Sequence, residues 1–221
     1  MSYEKLTGRN NTELTEWAKD VLIAPQAKEE LLRLQKAAKE ANIHIEVASA
    51  YRSYDRQLAI WNAKASGKRI LRDRRENVVD FESASDEEVL NAIMAWSAIP
   101  GASRHHWGTE VDIYDCNVKT RDNLELTVRE CDRDFSSLYQ WIDENLPNFS
   151  FHRPYSEDLG GVSVEPWHLS YTPLSNQFEE SYTIEVFRRN IEESKMLLKK
   201  PILNRLEEFY NQYVINTAYS K

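Results

Sequence analysis

The chain has 221 residues, 41% of them hydrophobic, a composition that suits a soluble globular protein able to bury roughly 70% of its unfolded surface without staples. Lys and Arg total 28 against 36 Asp and Glu, a formal charge of −8, which argues against a general nucleic-acid binder because phosphate recognition needs a basic footprint. No stretch is long and apolar enough to span a membrane, and the opening MSYEKLTGRNNTELTEWAKD lacks both the basic and the apolar region of a secretory signal. The expectation is a cytoplasmic protein as written, or a periplasmic or extracellular one if the N-terminus has been trimmed.

Residues Ala27 to Ala41 carry an apolar stripe of Leu31, Leu32, Leu34 and Ala38 and predict a helix. Ile43, Ile45 and Val47 then alternate with polar residues, as in a half-buried strand. Ser53 reads as the N-cap of a helix through Leu58 and Trp61 that ends near Gly67. Lys68 to Ser85, with its KRILRDRRE cluster, reads as a solvated loop, with an anion- or substrate-facing lid as the alternative. Ser85 and Glu88 form a capping box ahead of Val89, Ala92, Ile93 and Trp96. Pro100-Gly101 breaks the chain before SRHHWGTEVD, after which Val111 and Ile113 face one side of a strand and Glu110, Asp112 and Tyr114 the other. Asp134 to Leu146 predicts a helix, and Phe149 to His152 and Trp167 to Tyr171 predict short strands. From Ser181 onward the chain reads as helical, split in two by Pro201. Cys116 and Cys131 are expected to be small buried hydrophobes in a reducing compartment, with a disulfide as the alternative.

Three stretches can carry chemistry. SRHHWGTEVD offers His105, His106, Glu110 and Asp112 as metal ligands, and Gly108 permits the tight turn that brings a histidine back to a strand residue. The same residues also suit ordinary turn histidines and a strand-end carboxylate. EPWHLSY adds His168, with Glu165 three residues earlier. A zinc-water mechanism needs a carboxylate that is not a ligand, and Glu165 fits. Residues three apart on a strand face opposite sides, however, so Glu165 and His168 converge only if Pro166 bends the chain; a satisfied core histidine is the other reading. In SAYRSYDRQ, Arg52 follows a strand and Gln57 lies in the next helix. A guanidinium there suits bidentate capture of a peptide carboxylate, or a surface salt bridge.

YRSYDRQ, then PGASRHHWGTEVD, then EPWHLSY, in this order, resembles the zinc D-alanyl-D-alanine carboxypeptidases of the VanY type, part of a wider group with lysostaphin-type peptidases and the hedgehog domain. The resemblance covers roughly residues 25 to 175. It implies one zinc per chain held by His105, Asp112 and His168, with Glu165 as general base. It implies that Arg52 holds the substrate carboxylate or polarises the scissile carbonyl, with Gln57 and Ser103 supporting the substrate pocket. His106 is not a ligand in this pattern. Glu110 departs from the small residue often found at its position, which adds a charge near the metal and bears on fine specificity.

The expected fold is α+β: a small antiparallel sheet carrying the zinc site, helices packed outside it, and a C-terminal helical extension. Residues 1–175 are expected to form the peptidase domain and 176–221 an extension packed on it. The implied activity is release of D-alanine from peptidoglycan stem peptides or other D-Ala-terminated peptides, without nucleic acid or a membrane span. The alternatives are an L,D-carboxypeptidase, D,D-dipeptidase, amidase or endopeptidase on the same scaffold, and a non-catalytic zinc-stabilised binding module.

Overall fold

The protein's structure is a computed structural model that describes residues 1–218. The chain opens with a helical turn, α1 (Tyr3–Leu6), and a hairpin of β1 (Thr15–Ala18) and β2 (Val21–Ile23). The helix expected from Ala27 is α2 (Pro25–Glu40); it begins earlier because Pro25 fits a first turn, where no backbone N–H is needed. Leu31, Leu34 and Ala38 are buried, whereas Leu32 faces out. β3 (Ile45–Ser49) leads to α3 (Tyr54–Ala65), where the Ser53 hydroxyl caps Arg56 N.

The segment expected to be an irregular loop contains a small hairpin, β4 (Leu71–Arg72) with β5 (Val78–Val79). The expected capping box of Ser85 and Glu88 opens α4 (Asp86–Trp96). β6 (Glu110–Asp115) follows, then α5 (Val128–Asp134), outside any expected helix, and α6 (Ser136–Asn145), the helix expected over Asp134 to Leu146. β7 (Phe151–His152) and β8 (His168–Tyr171) complete the strands.

The C-terminal segment departs most from expectation. It turns helical at Thr172, not Ser181, and continues as α7 (Thr172–Ser181), α8 (Ile184–Glu193), α9 (Lys199–Asn204) and α10 (Leu206–Phe209). Pro201 does not split a helix; it sits in the first turn of α9, where its missing donor costs nothing. Cys116 is exposed and Cys131 buried, and both are free. Among the described residues no helix is long and apolar enough to cross a membrane.

β3, β6, β8 and β7 form a four-stranded antiparallel sheet in that order. Its apolar face, with Ile45, Val47, Val111, Ile113 and Leu169, packs on Leu31 and Leu34 of α2 and on Phe135, Leu138 and Ile142 around α6. A second cluster joins Trp61 of α3 and Ile93 of α4 to Phe178, Phe187, Ile191, Ile202 and Phe209 of the C-terminal helices. These helices also grip the loop before the site: Asn190 Nδ2 donates to Pro100 O at 2.7 Å and Tyr182 OH to Gly101 O at 2.6 Å. Phe187 is fully buried. Phe187→Ala should therefore cost about 3–5 kcal/mol, read as a lower urea midpoint; a loss under about 1 kcal/mol would show that α8 is not part of the cooperative core.

Candidate active site

The site lies on the sheet face opposite Val111, Ile113 and Leu169. Asp112 on β6 sits directly across from His168 on β8, so strand pairing alone brings these two side chains together. His105 comes from a 3₁₀ turn, Arg104–Trp107, that closes on Gly108 at φ 75°. A side chain at Gly108 would be strained at that φ and would also run into Leu14. The turn is tied to the end of β3: Arg52 N donates to His105 O at 3.0 Å, and His105 Nδ1 lies 2.7 Å from Ala50 O.

One nitrogen or oxygen from each of His105, Asp112 and His168 lies within 4.8 Å of the other two, and all three residues are buried. His105 Nε2 is 3.4 Å from Asp112 Oδ2, and His168 Nδ1 is 3.4 Å from Asp112 Oδ1. Asp112 Oδ1 and His168 Nδ1 are buried without a hydrogen-bond partner. Orphaned polar atoms are costly in an interior. Two imidazoles and a carboxylate are also the donor set of a catalytic zinc, which keeps a further position open. The residues present therefore fit a zinc ion.

The outer contacts decide which ring nitrogens face the centre. His105 Nδ1–H donates to the Ala50 carbonyl, leaving Nε2 toward Asp112. His168 Nε2–H donates to Glu110 Oε2 at 2.8 Å, leaving Nδ1 inward. A carboxylate behind a ligating histidine fixes its tautomer and raises its basicity. Glu110, fully buried, also accepts from Ser170 Oγ at 2.8 Å and Thr109 Oγ1 at 3.0 Å, and lies 3.4 Å from Arg104 NH2. Arg104, buried too, bonds Ser170 Oγ at 2.8 Å and pairs with Glu179 on α7.

Burial opposes charge throughout this cluster, but the neighbouring charges outweigh it. The Arg104 guanidinium and the His168 ring hold Glu110 well below the usual carboxylate range. His105 and His168 do the same for Asp112. Asp112, Glu110 and Glu165 together hold the His168 ring well above the usual imidazole range. The acids thus call for a cation at His168 Nδ1, either a proton or a metal ion.

Glu165 reaches the same spot by the bend its sequence suggested. His168 N donates to Glu165 O at 3.2 Å across a four-residue turn with Pro166 second, and β8 begins only at His168. The alternation rule therefore does not separate the two residues. Glu165 Oε2 lies 3.2 Å from His168 Nδ1, misaligned for a hydrogen bond. Its backbone N–H is anchored on Tyr155 O at 3.0 Å.

A cavity of about 480 Å³ opens over these residues, lined among others by Arg52, Ser103, Tyr155, Glu165 and Trp167. Arg52 NH1 donates to Gln57 Oε1 at 2.9 Å and NH2 to Ser49 Oγ at 3.1 Å. Gln57 is fully buried and off the cavity wall; its Nε2 donates to Ala98 O at 2.7 Å, so it holds Arg52 in place instead of facing substrate. His106 points away from the centre. It accepts from Gly101 N at 3.0 Å through Nε2 and lies 2.5 Å from Arg52 O through Nδ1. Burial pushes its pKa down to about 3, which keeps it a neutral brace. Two residues escaped the sequence reading: Arg104, whose partners are distant in sequence, and Tyr155, whose ring packs edge-on to His168 with centroids 5.1 Å apart.

Comparison with known proteins identifies the class. The family model for the VanY D-alanyl-D-alanine carboxypeptidase matches residues 20–174, and the chain belongs to this family of metallopeptidases. An uncharacterised protein of Haemophilus influenzae is 34% identical over 122 residues, 53% of this chain and 93% of that protein. A D-alanyl-D-alanine carboxypeptidase of Enterococcus faecalis is 30% identical over 158 residues, 70% of this chain but 48% of that longer protein. Among solved structures, VanYB in complex with D-Alanine-D-Alanine shares the fold at TM-score 0.56 and 23% identity, over 82% of this chain and 91% of that one. A mutant of the vancomycin-resistance D,D-pentapeptidase VanY in complex with Zn(II) matches at TM-score 0.53 and 26% identity, over 79% of this chain and 88% of that one.

Glu110→Ala strips His168 Nε2 of its acid and leaves Arg104 with Glu179 alone. Zinc affinity, measured by competition with a chromophoric chelator, should fall about 10–100-fold; an unchanged affinity would mean that Glu110 does not orient the ring.

Proposed function

We propose that the protein is a zinc-dependent carboxypeptidase that removes the terminal D-alanine from cell-wall peptides. Glu165 carries this reading: it is a carboxylate outside the three-residue donor set, held 3.2 Å from the inward nitrogen of His168. A cation that only held the fold together would have no use for such an acid. The neighbours that bind D-Ala-D-Ala and Zn(II) support the substrate class and the metal.

When bound, zinc supplies Lewis acidity at the scissile carbonyl and lowers the pKa of a bound water to about 7. His105, Asp112 and His168 hold it. Glu165 Oε2 takes the proton from the attacking water and returns it to the leaving amine, so no covalent intermediate is needed. Arg52 retains N–H groups beyond those bonded to Gln57 and Ser49, and these take the peptide's terminal carboxylate. Ser103 and Tyr155 shape the wall against which the peptide end lies.

Incubation of zinc-loaded protein with D,D- and L,D-terminated stem peptides should release free D-alanine, read by mass spectrometry; internal cleavage without it would favour an endopeptidase. Glu165→Ala should cut turnover by about 10²–10⁴-fold while zinc stays bound, and retained turnover removes Glu165 as the base. Arg52→Ala should mainly impair peptides with a free C-terminal carboxylate. An equal loss on C-terminally amidated peptides would argue against carboxylate capture.

A further inference from the structure

Lys64 and Arg69 both line the candidate catalytic cavity, and among the described residues neither makes an ion pair. Lys64 lies in the last turn of α3, half-buried, and its Nζ donates to the neutral Ser97 Oγ at 2.7 Å. Gly67, at φ 72°, then turns the chain back on itself. Lys68 N and Arg69 N both donate to Ala63 O, at 2.8 and 3.2 Å, which returns Arg69 to the end of the helix beside Lys64. Both side chains line the cavity, with Arg52 and Arg72 along the same wall.

Among the described residues, neither Lys64 nor Arg69 nor Arg72 has a carboxylate within the 4.0 Å of a salt bridge. Burial, and then the charge of Arg69, push the Lys64 pKa down to about 8; Glu165, already engaged beside His168, is the acid whose charge reaches it. Lys64 is half-buried and Arg69 exposed, and like charges held close together repel. Glu76, Asp112, Glu125 and Glu165 line the same cavity, but among the described residues none of them pairs with Lys64 or Arg69. That arrangement suits a wall whose counter-charge arrives with the ligand. Arg52 already answers the terminal carboxylate, which leaves this pair for a second one.

We propose that Lys64 and Arg69 form a second anion subsite that takes an additional free carboxylate of the peptide, so that the favoured substrate carries a diaminodicarboxylic residue near its D-alanine end in place of lysine. The proposal rests on the carboxypeptidase reading, and deepens it. Lysine and 2,6-diaminopimelate differ by one carboxylate, so two peptides alike except for that residue before D-Ala-D-Ala isolate the subsite.

Turnover of both peptides is measured on the zinc-loaded wild type and the K64M, K64R and R69M variants. Binding of both is measured by calorimetry on zinc-loaded E165A protein, alone and combined with K64M. The wild type should favour the dicarboxylate by about tenfold or more in kcat/KM, mostly through KM. K64M should bring that ratio below about twofold, R69M should lower it partway, and K64R should retain most of it. A wild-type ratio near unity, or one that K64M leaves unaltered, overturns the subsite. If neither peptide is cleaved, binding decides. A dicarboxylate preference that depends on Lys64 upholds the subsite while removing the carboxypeptidase reading, and equal binding overturns the subsite.

Discussion

Asp112 and His168 face one another across β6 and β8, and their inward atoms are buried with nothing to bond. Everything else in the site answers this one constraint. A carboxylate and an imidazole removed from water need a cation between them. His105 closes the third side because Gly108 lets the preceding turn fold down onto the strand. The sheet register that pairs Val111 with Leu169 on the apolar face also pairs Asp112 with His168 on the other. A slip of one residue would send the ligands into the core. The fold and the candidate metal site are therefore set by the same register.

The second layer explains a residue that departs from the family pattern. Glu110 sits one pleat from Asp112, opposite Ser170, and occupies space a small residue would leave to other groups. Its charge fixes His168, and Arg104 behind it keeps that acid from standing unpaired. Arg104 in turn pairs with Glu179 on α7. The C-terminal helices thus reach the candidate ligands through a chain of buried polar contacts. They also hold the Pro100–Gly101 corner that launches the ligand turn. These contacts give the helices a part in the site although none supplies a candidate ligand.

How much of this could be read from the sequence differs by residue. The convergence of His105, Asp112, His168 and Glu165 was legible because their chemistry and spacing sit inside short motifs. The doubt about Glu165 came from treating residues 165–168 as strand, and Pro166 made them a turn instead. Glu110 was visible only as a departure, because its meaning lies in partners 58 and 60 residues away. Gln57 resembled a pocket residue, but helix phase turns it inward beneath Arg52. The strand, capping and helix signals before Trp96 held because local periodicity governs them. The start of α7 and the place of Pro201 did not, since tertiary packing on Trp61 and Ile93 decides where those helices begin. The pairing of Lys64 with Arg69 depends on a fold-back at Gly67 that polar composition alone does not reveal.

X-ray absorption at the zinc K-edge of the loaded protein tests the central claim most directly, because it reads the shell around the ion without relying on turnover. Two imidazoles and one carboxylate should appear as nitrogen and oxygen scatterers at about 2.0–2.2 Å, with outer-shell features from both rings and no sulfur. A shell with thiolate at about 2.3 Å, or one lacking imidazole scattering, would contradict a centre built on His105, Asp112 and His168.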